Sequence, residues 1–122
     1  MYIAAFVFSF QYARSVQVGL WETSQVIRSF ANKGTEDIYN GVDSKAARKA
    51  CPSTMWTVAR RKLDRLHNTT RLADLAVPPG NKLEALRRDR VGQHAIRIND
   101  QYRICFRWTD RGVEDVEITD YH

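Results

Sequence analysis

The chain has 122 residues, enough for one domain with a sizeable core and too few for two. Hydrophobic residues make up 43% and aromatic residues 11%, a composition that excludes a generally disordered chain. Lys and Arg number 19 against 14 Asp and Glu, for a net charge of +5 and a pI near 9.5, so polyanions are the favoured partners.

The basic residues are mostly arginine, whose planar fork of donors matches phosphate better than the point charge of lysine. Cys51 and Cys105 form no CxxC and, with three histidines, outline no zinc site; they read as reduced structural thiols. The apolar start, Met1 to Phe10, lacks a basic flank and a small-residue cleavage site, and is too short to span a bilayer. A cytoplasmic chain with no membrane partner is expected.

Residues 1–25 carry little charge and no clear period. They read either as an extra element packed on the domain or as a misassigned start. The second reading is favoured, with the domain covering residues 26–122. Val26 to Phe30 alternates like a short strand. Lys33 to Asn40 reads as a helix stopped by Gly41, and Ser44 as the N-cap of Lys45 to Ala50. Pro52 suits the first turn of a helix reaching His67, with Met55, Trp56, Ala59, Leu63 and Leu66 as its apolar stripe. His67 is read as a cation at that helix's C-terminus. Leu72 to Leu75 predicts one further turn, and Val77 to Asn81 a loop.

The second half reads as sheet. Leu83 to Leu86 is a short strand and Arg87 to Val91 a polar turn. Gln93 to Ile98 and Tyr102 to Trp108 alternate on either side of a tight Asn99-Asp100 turn. Ile96, Ile98, Tyr102, Ile104, Phe106 and Trp108 fall on the apolar faces; Ala95, Arg97, Arg103, Cys105 and Arg107 fall on the others. Arg111-Gly112 turns the chain into a last strand anchored by Val113, Val116 and Ile118. The expected fold is α+β, with N-terminal helices packed on a small twisted antiparallel sheet.

Arg87, Arg88 and Arg90 crowd one turn, and the hairpin makes Arg97 and Arg103 near cross-strand neighbours. Like charges so placed repel unless an anion lies between them, which points to a phosphate-binding face. The bland alternative has one arginine in solvent and the other paired with Glu84 or Asp89. The last strand should carry Asp120, Tyr121 and His122 to the edge of this sheet, supplying an acid, a phenol and an imidazole that titrates near neutrality. Those groups suffice for RNA cleavage by the 2′-hydroxyl, with arginines stabilising the phosphorane charge and no metal required. His94 lies in the strand beside the arginine turn. Cys105 reads as structural, and Trp56 and Trp108 as core. No phosphate loop, HExxH or GxSxG is present.

Leu86-Arg87-Arg88-Asp89-Arg90-Val91-Gly92-Gln93, the run Ile96 to Trp108, and the close Val116-Glu117-Ile118-Thr119-Asp120-Tyr121-His122 together resemble the HigB branch of the RelE-like toxins. Val26 to Phe30 followed by Lys33-Gly34 resembles the usual start of that family, so the likeness spans about residues 26–122. It implies a RelE-like microbial RNase fold and a toxin of a type II toxin–antitoxin system that cuts mRNA on the ribosome, without a cofactor or metal. It implies a HigA-like helix-turn-helix antitoxin as partner, with operator DNA bound only through that antitoxin. Residue by residue it implies a catalytic set of Arg87, Arg103, Asp120, Tyr121 and His122. Arg88, Arg90, His94, Arg97 and Asn99 are expected to bind RNA. The chain departs from the family where an arginine near the hairpin is replaced by Asn99; Arg97 stands in for it. The rival from another class is a non-catalytic RNA- or ribosome-binding protein of the same fold. A DNA-binding repressor subunit is a weaker third reading, since the chain holds no helix-turn-helix signal.

Overall fold

The computed structural model describes residues 25–121. Apart from Gln25, the reading of residues 1–25 lies outside the described residues, as does His122. Three helices come first: α1 (Lys33–Asn40), α2 (Lys45–Ala50) and α3 (Trp56–Asn68). Four strands follow: β1 (Glu84–Ala85), β2 (His94–Arg97), β3 (Tyr102–Thr109) and β4 (Gly112–Asp120), hydrogen-bonded in that order as an antiparallel meander. The α+β expectation holds.

The helix ends follow local chemistry. Asn32 caps α1 by accepting the Thr35 N–H at 2.9 Å, and Gly41 ends it at φ +77°, a left-handed conformation that glycine adopts without strain. Ser44 caps α2 by accepting the Ala47 N–H at 3.0 Å. The Ser44 hydroxyl also donates to buried Asp37 at 2.7 Å, and Lys33 Nζ meets the same carboxylate at 2.7 Å. These two donors hold the Asp37 carboxyl below the usual range, Lys33 being the larger influence. Gly34 lets α1 cross α2 closely: a Cβ there would stand 2.4 Å from the Ala46 carbonyl oxygen. Pro52 leads into a 3-10 turn, Ser53–Met55, before α3 begins at Trp56.

One face of the sheet packs on the helices. Ile96, Ile104, Phe106, Val116 and Ile118 meet Ile38, Leu63 and Leu66 in a single buried core. Trp56 and Trp108 are partly buried against it, and the Trp56 indole N–H donates to the Cys51 carbonyl at 3.0 Å. Cys51 is buried, and that burial pushes its thiol up to about 11, so it stays protonated. The loop 77–81 is organised by buried Asn81, whose amide donates to the Leu75 and Val77 carbonyls at 3.0 and 3.3 Å.

Residues 26–31 run alongside β4 and parallel to it, with bridges at Ile27–Val113 and Phe30–Val116. The expected strand is therefore broken into two bridges. The cause is Asp115, which kinks β4 with φ +53° and turns its N–H to the Ser29 hydroxyl at 2.9 Å. Beyond it, the outer edge of β4 gives its Ile118 N–H to the buried Thr35 hydroxyl of α1 at 3.0 Å.

His67 corrects its expected role. Its Nδ1 accepts the Ile27 N–H at 3.0 Å, which requires a neutral ring, and burial pushes its pKa below the ordinary 6.5. Asp64 opposes that shift without overturning it. Below pH 6.5 the unfolded chain takes the proton first. Stability from this contact is therefore full above 6.5 and falls as the pH drops towards the lower folded value. Urea midpoints across pH 5–8 should fall on the acid side for the parent. They should fall less for His67→Gln, whose carbonyl can accept the same N–H without titrating.

Candidate functional site

Strand register sets what stands on the face turned away from the helices. Arg97 lies opposite Arg103 across β2 and β3, and Arg103 lies opposite Thr119 across β3 and β4. Cys105 lies opposite Ala95 on one side and Glu117 on the other, and Glu84 on β1 stands beside Ala95. Ala95 and Cys105 are buried, so the centre of this face is not a plain solvent surface. The Cys105 thiol is 3.3 Å from the Thr119 hydroxyl.

Arg103 is the centre of the arrangement. Its Nη1 lies 3.1 Å from Glu84 Oε1, and its guanidinium carbon sits 3.3 Å from the centroid of the Tyr121 ring. The side chain is 17% exposed, held between a carboxylate and an aromatic face. Arg97 pairs with the turn carboxylate Asp100. The cross-strand arginines are thus each neutralised by a carboxylate of their own. Their proximity does not in itself demand an anion, and Glu84 fills the counter-ion role that the bland alternative gave it. The Asp100 partner is 94% exposed, a setting in which an ion pair stabilises by only about 0–1 kcal/mol, so an incoming phosphate can replace it.

Asp120 and Tyr121 stand at the edge of this sheet, beside the arginine hairpin. The Tyr121 N–H donates to the Gln101 carbonyl at 2.6 Å, and Gln101 Nε2 donates to Asp120 Oδ2 at 3.1 Å. The hairpin turn thereby fastens the end of β4 beside Arg103. Tyr121 remains exposed, but Arg103 occupies one face of its ring, leaving the other for stacking.

Other expected site residues are placed differently. Arg90 joins the face, with Glu117 at 3.2 Å and the Gln93 side-chain oxygen at 3.0 Å. Arg87 and Arg88 are exposed on the 3-10 turn that Arg88–Arg90 forms, and make no ion pair among the described residues. His94 does not join the arginines. Strand alternation turns it to the helix side, where its ring stacks on Phe106 with centroids 6.2 Å apart and its Nδ1 is buried without a partner. Asn99 is spent on the turn: its Oδ1 accepts the Gln101 and Tyr102 N–H groups at 2.9 and 2.7 Å, and its amide points to Met55 Sδ.

Two cavities meet at this face. A smaller one, of about 160 Å³, is lined by Glu84, Arg97, Asn99 and Asp100 among others. A larger cleft, of about 780 Å³, runs from the end of β4 to α1 and α2. Tyr102, Arg103 and Tyr121 line both. Glu117, Lys33 and Lys49 are the residues here that sequence reasoning did not single out. Glu84 is named there only as an alternative counter-ion, and the β1–β2 register is what brings it beside the arginine hairpin. Among the described residues no group of three or more His, Cys, Asp and Glu is placed to hold a metal ion, and no helix is long and apolar enough to cross a membrane.

Comparison with known proteins agrees with the resemblance. Residues 28–122 match the family described as the RelE-like toxin of the type II toxin-antitoxin system HigB. Toxin HigB-1 of Vibrio cholerae is 38% identical over 81 residues, which cover 66% of this chain and 82% of that protein. An uncharacterized protein of Haemophilus influenzae is 34% identical over 65 residues, covering 53% of this chain and 64% of that protein. Among solved structures, the YoeB-YefM complex from Staphylococcus aureus is 16% identical, covering 79% of this chain and 97% of that one, with a TM-score of 0.44. The chain belongs to the HigB-like family of RelE-like toxins of type II toxin–antitoxin systems.

Proposed function

We propose that this toxin cuts messenger RNA on the translating ribosome, in the cytoplasm, without a metal, using the face built around Arg103. The observation that carries this reading is the Arg103 guanidinium held between Glu84 and the Tyr121 ring, directly across from Arg97. In the reaction the RNA 2′-oxygen loses its proton and bonds to the adjacent phosphorus, the bond from phosphorus to the 5′-oxygen breaks, and that oxygen takes a proton. The products are a 2′,3′-cyclic phosphate and a 5′-hydroxyl. Arg97 and Arg103 stabilise the charge gathering on the phosphoryl oxygens. Asp120 and His122 handle the two protons, and the free face of Tyr121 stacks on a base. Arg87, Arg88 and Arg90 make phosphate contacts. Arg87 acts as a charge, because a guanidinium does not give up its proton near neutral pH. The partner that restrains the toxin is a helix-turn-helix antitoxin, through which alone the pair meets operator DNA.

The test is translation in vitro of a defined mRNA with the full chain added and cuts mapped by primer extension. Ribosome-free and His122→Ala reactions run in parallel. Cuts within codons that require ribosomes are expected, and His122→Ala should lower the rate about 100-fold or more. A folded protein that makes no cuts would leave a non-catalytic ribosome- or RNA-binding protein as the better account.

A further inference from the structure

The larger cleft has no assigned role, and its composition is uneven. Its far wall carries Lys33 at the start of α1 and Lys49 in the last turn of α2. Its near wall carries Arg90, Arg103 and the Tyr121 ring. Four cations line it against the carboxylates Glu117 and Asp120. Arg90 is matched by Glu117, and Lys33 by Asp37, yet the Lys33 side chain is still 70% exposed. Lys49 is exposed and has no ion pair among the described residues. Lys33 serves buried Asp37 from the cleft wall, whereas no hydrogen bond or ion pair among the described residues engages the Lys49 side chain. The two are brought to one wall by the close crossing at Gly34.

We propose that this cleft is a second RNA subsite, where the strand on one side of the cut runs past Tyr121 and lays its backbone against Lys49 and Lys33. The inference rests on the RNA-cleaving reading above and extends it to the flanking nucleotides. An RNA phosphate seated at Arg103 has two ways to continue, and Arg103 and Tyr121 are shared by two cavities. The smaller, of about 160 Å³, is closed in by Glu84 and Asp100. The larger, of about 780 Å³, falls in the range of pockets that enclose a drug-sized ligand, on the order of 300–1,000 Å³, room for about two nucleotides. Its unspent cation stands on the far wall, where a backbone phosphate would arrive, and an aromatic ring stands at its entrance, where a base would stack.

The experiment measures fluorescence anisotropy of the full chain with a short single-stranded RNA, protected from cleavage by 2′-O-methyl groups, over a range of salt. Lys49→Ala is expected to weaken binding and to reduce the slope of log K against log salt by about 0.7, the value for one phosphate contact on a single strand. Lys49→Glu should weaken binding further. Lys33→Ala should act in the same direction, with circular dichroism confirming that the helices survive the loss of the Asp37 partner. Arg61→Ala, exposed on α3 away from both cavities, should leave the slope unchanged. Unchanged affinity and slope for Lys49→Glu, with the parent binding RNA, would overturn the subsite and leave these lysines to a protein partner. A parent protein that binds no RNA even at low salt would overturn the RNA reading and the subsite with it.

Discussion

Arg103→Ala is expected to lower the rate of mRNA cleavage by about 100- to 1,000-fold while leaving the domain folded. The size follows from the proposed role: removing one preorganised donor aimed at developing phosphoryl charge costs about two to three orders of magnitude. The stability effect should be small, because the ion pair it breaks involves a half-exposed Glu84, and such pairs contribute about 0–1 kcal/mol. Arg103→Lys separates two explanations. Lysine keeps the charge, but it cannot present two parallel donors to a phosphate while lying flat beneath Tyr121. It should recover only part of the rate, with the deficit in kcat rather than KM. A rate within a few-fold of the parent for Arg103→Ala would remove this arginine from the chemistry and turn attention to the exposed turn bearing Arg87.

Much of this architecture is legible in the sequence. The helices Lys33–Asn40 and Lys45–Ala50 begin and end at residues whose side chains or backbone freedom cap them, so local chemistry fixes their bounds. Two alternating runs about a tight turn bring Arg97 and Arg103 near each other; Gln101 joins Asn99 and Asp100 in the turn, and that register sets the two arginines directly opposite. Some of what is misread depends on a partner distant in sequence, and the rest on local geometry. His67 reads as an ordinary helix-end cation until the chain brings the Ile27 N–H to it from 40 residues away. Asn99 reads as a polar side chain free to touch RNA, yet two backbone N–H groups of its own turn consume it. His94 is adjacent to the arginine turn in sequence, but alternation sends it to the opposite face. Proximity along a strand is a poor guide to which side of a sheet a residue serves. The arginine pair, whose cross-strand placement reads as repulsive, is balanced by Glu84, which the sequence offers as an alternative counter-ion on the short strand Leu83 to Leu86, and by the turn carboxylate Asp100, which it does not.

The largest stability effect should come from Phe106→Ala. The ring is fully buried in the core, and Phe→Ala at such a site costs about 3–5 kcal/mol through lost burial and the cavity left behind. For a domain of this size each kcal/mol lowers the melting temperature by about 4–8 °C, so a drop of at least about 12 °C is expected by differential scanning calorimetry. Phe106→Leu, which keeps most of the volume, should cost under about half as much. The position also couples core to site. Phe106 follows Cys105 on β3, and only two residues separate it from Arg103, so one strand seats the hydrophobic core on one face and the guanidinium on the other. Phe106→Leu should therefore retain cleavage once the temperature is low enough for folding. Phe106→Ala should lose activity in parallel with its loss of structure. If Phe106→Ala stayed fully folded with its melting temperature unchanged, the strand's inner face would not be the core that its burial indicates. The arginine face would then need some other support.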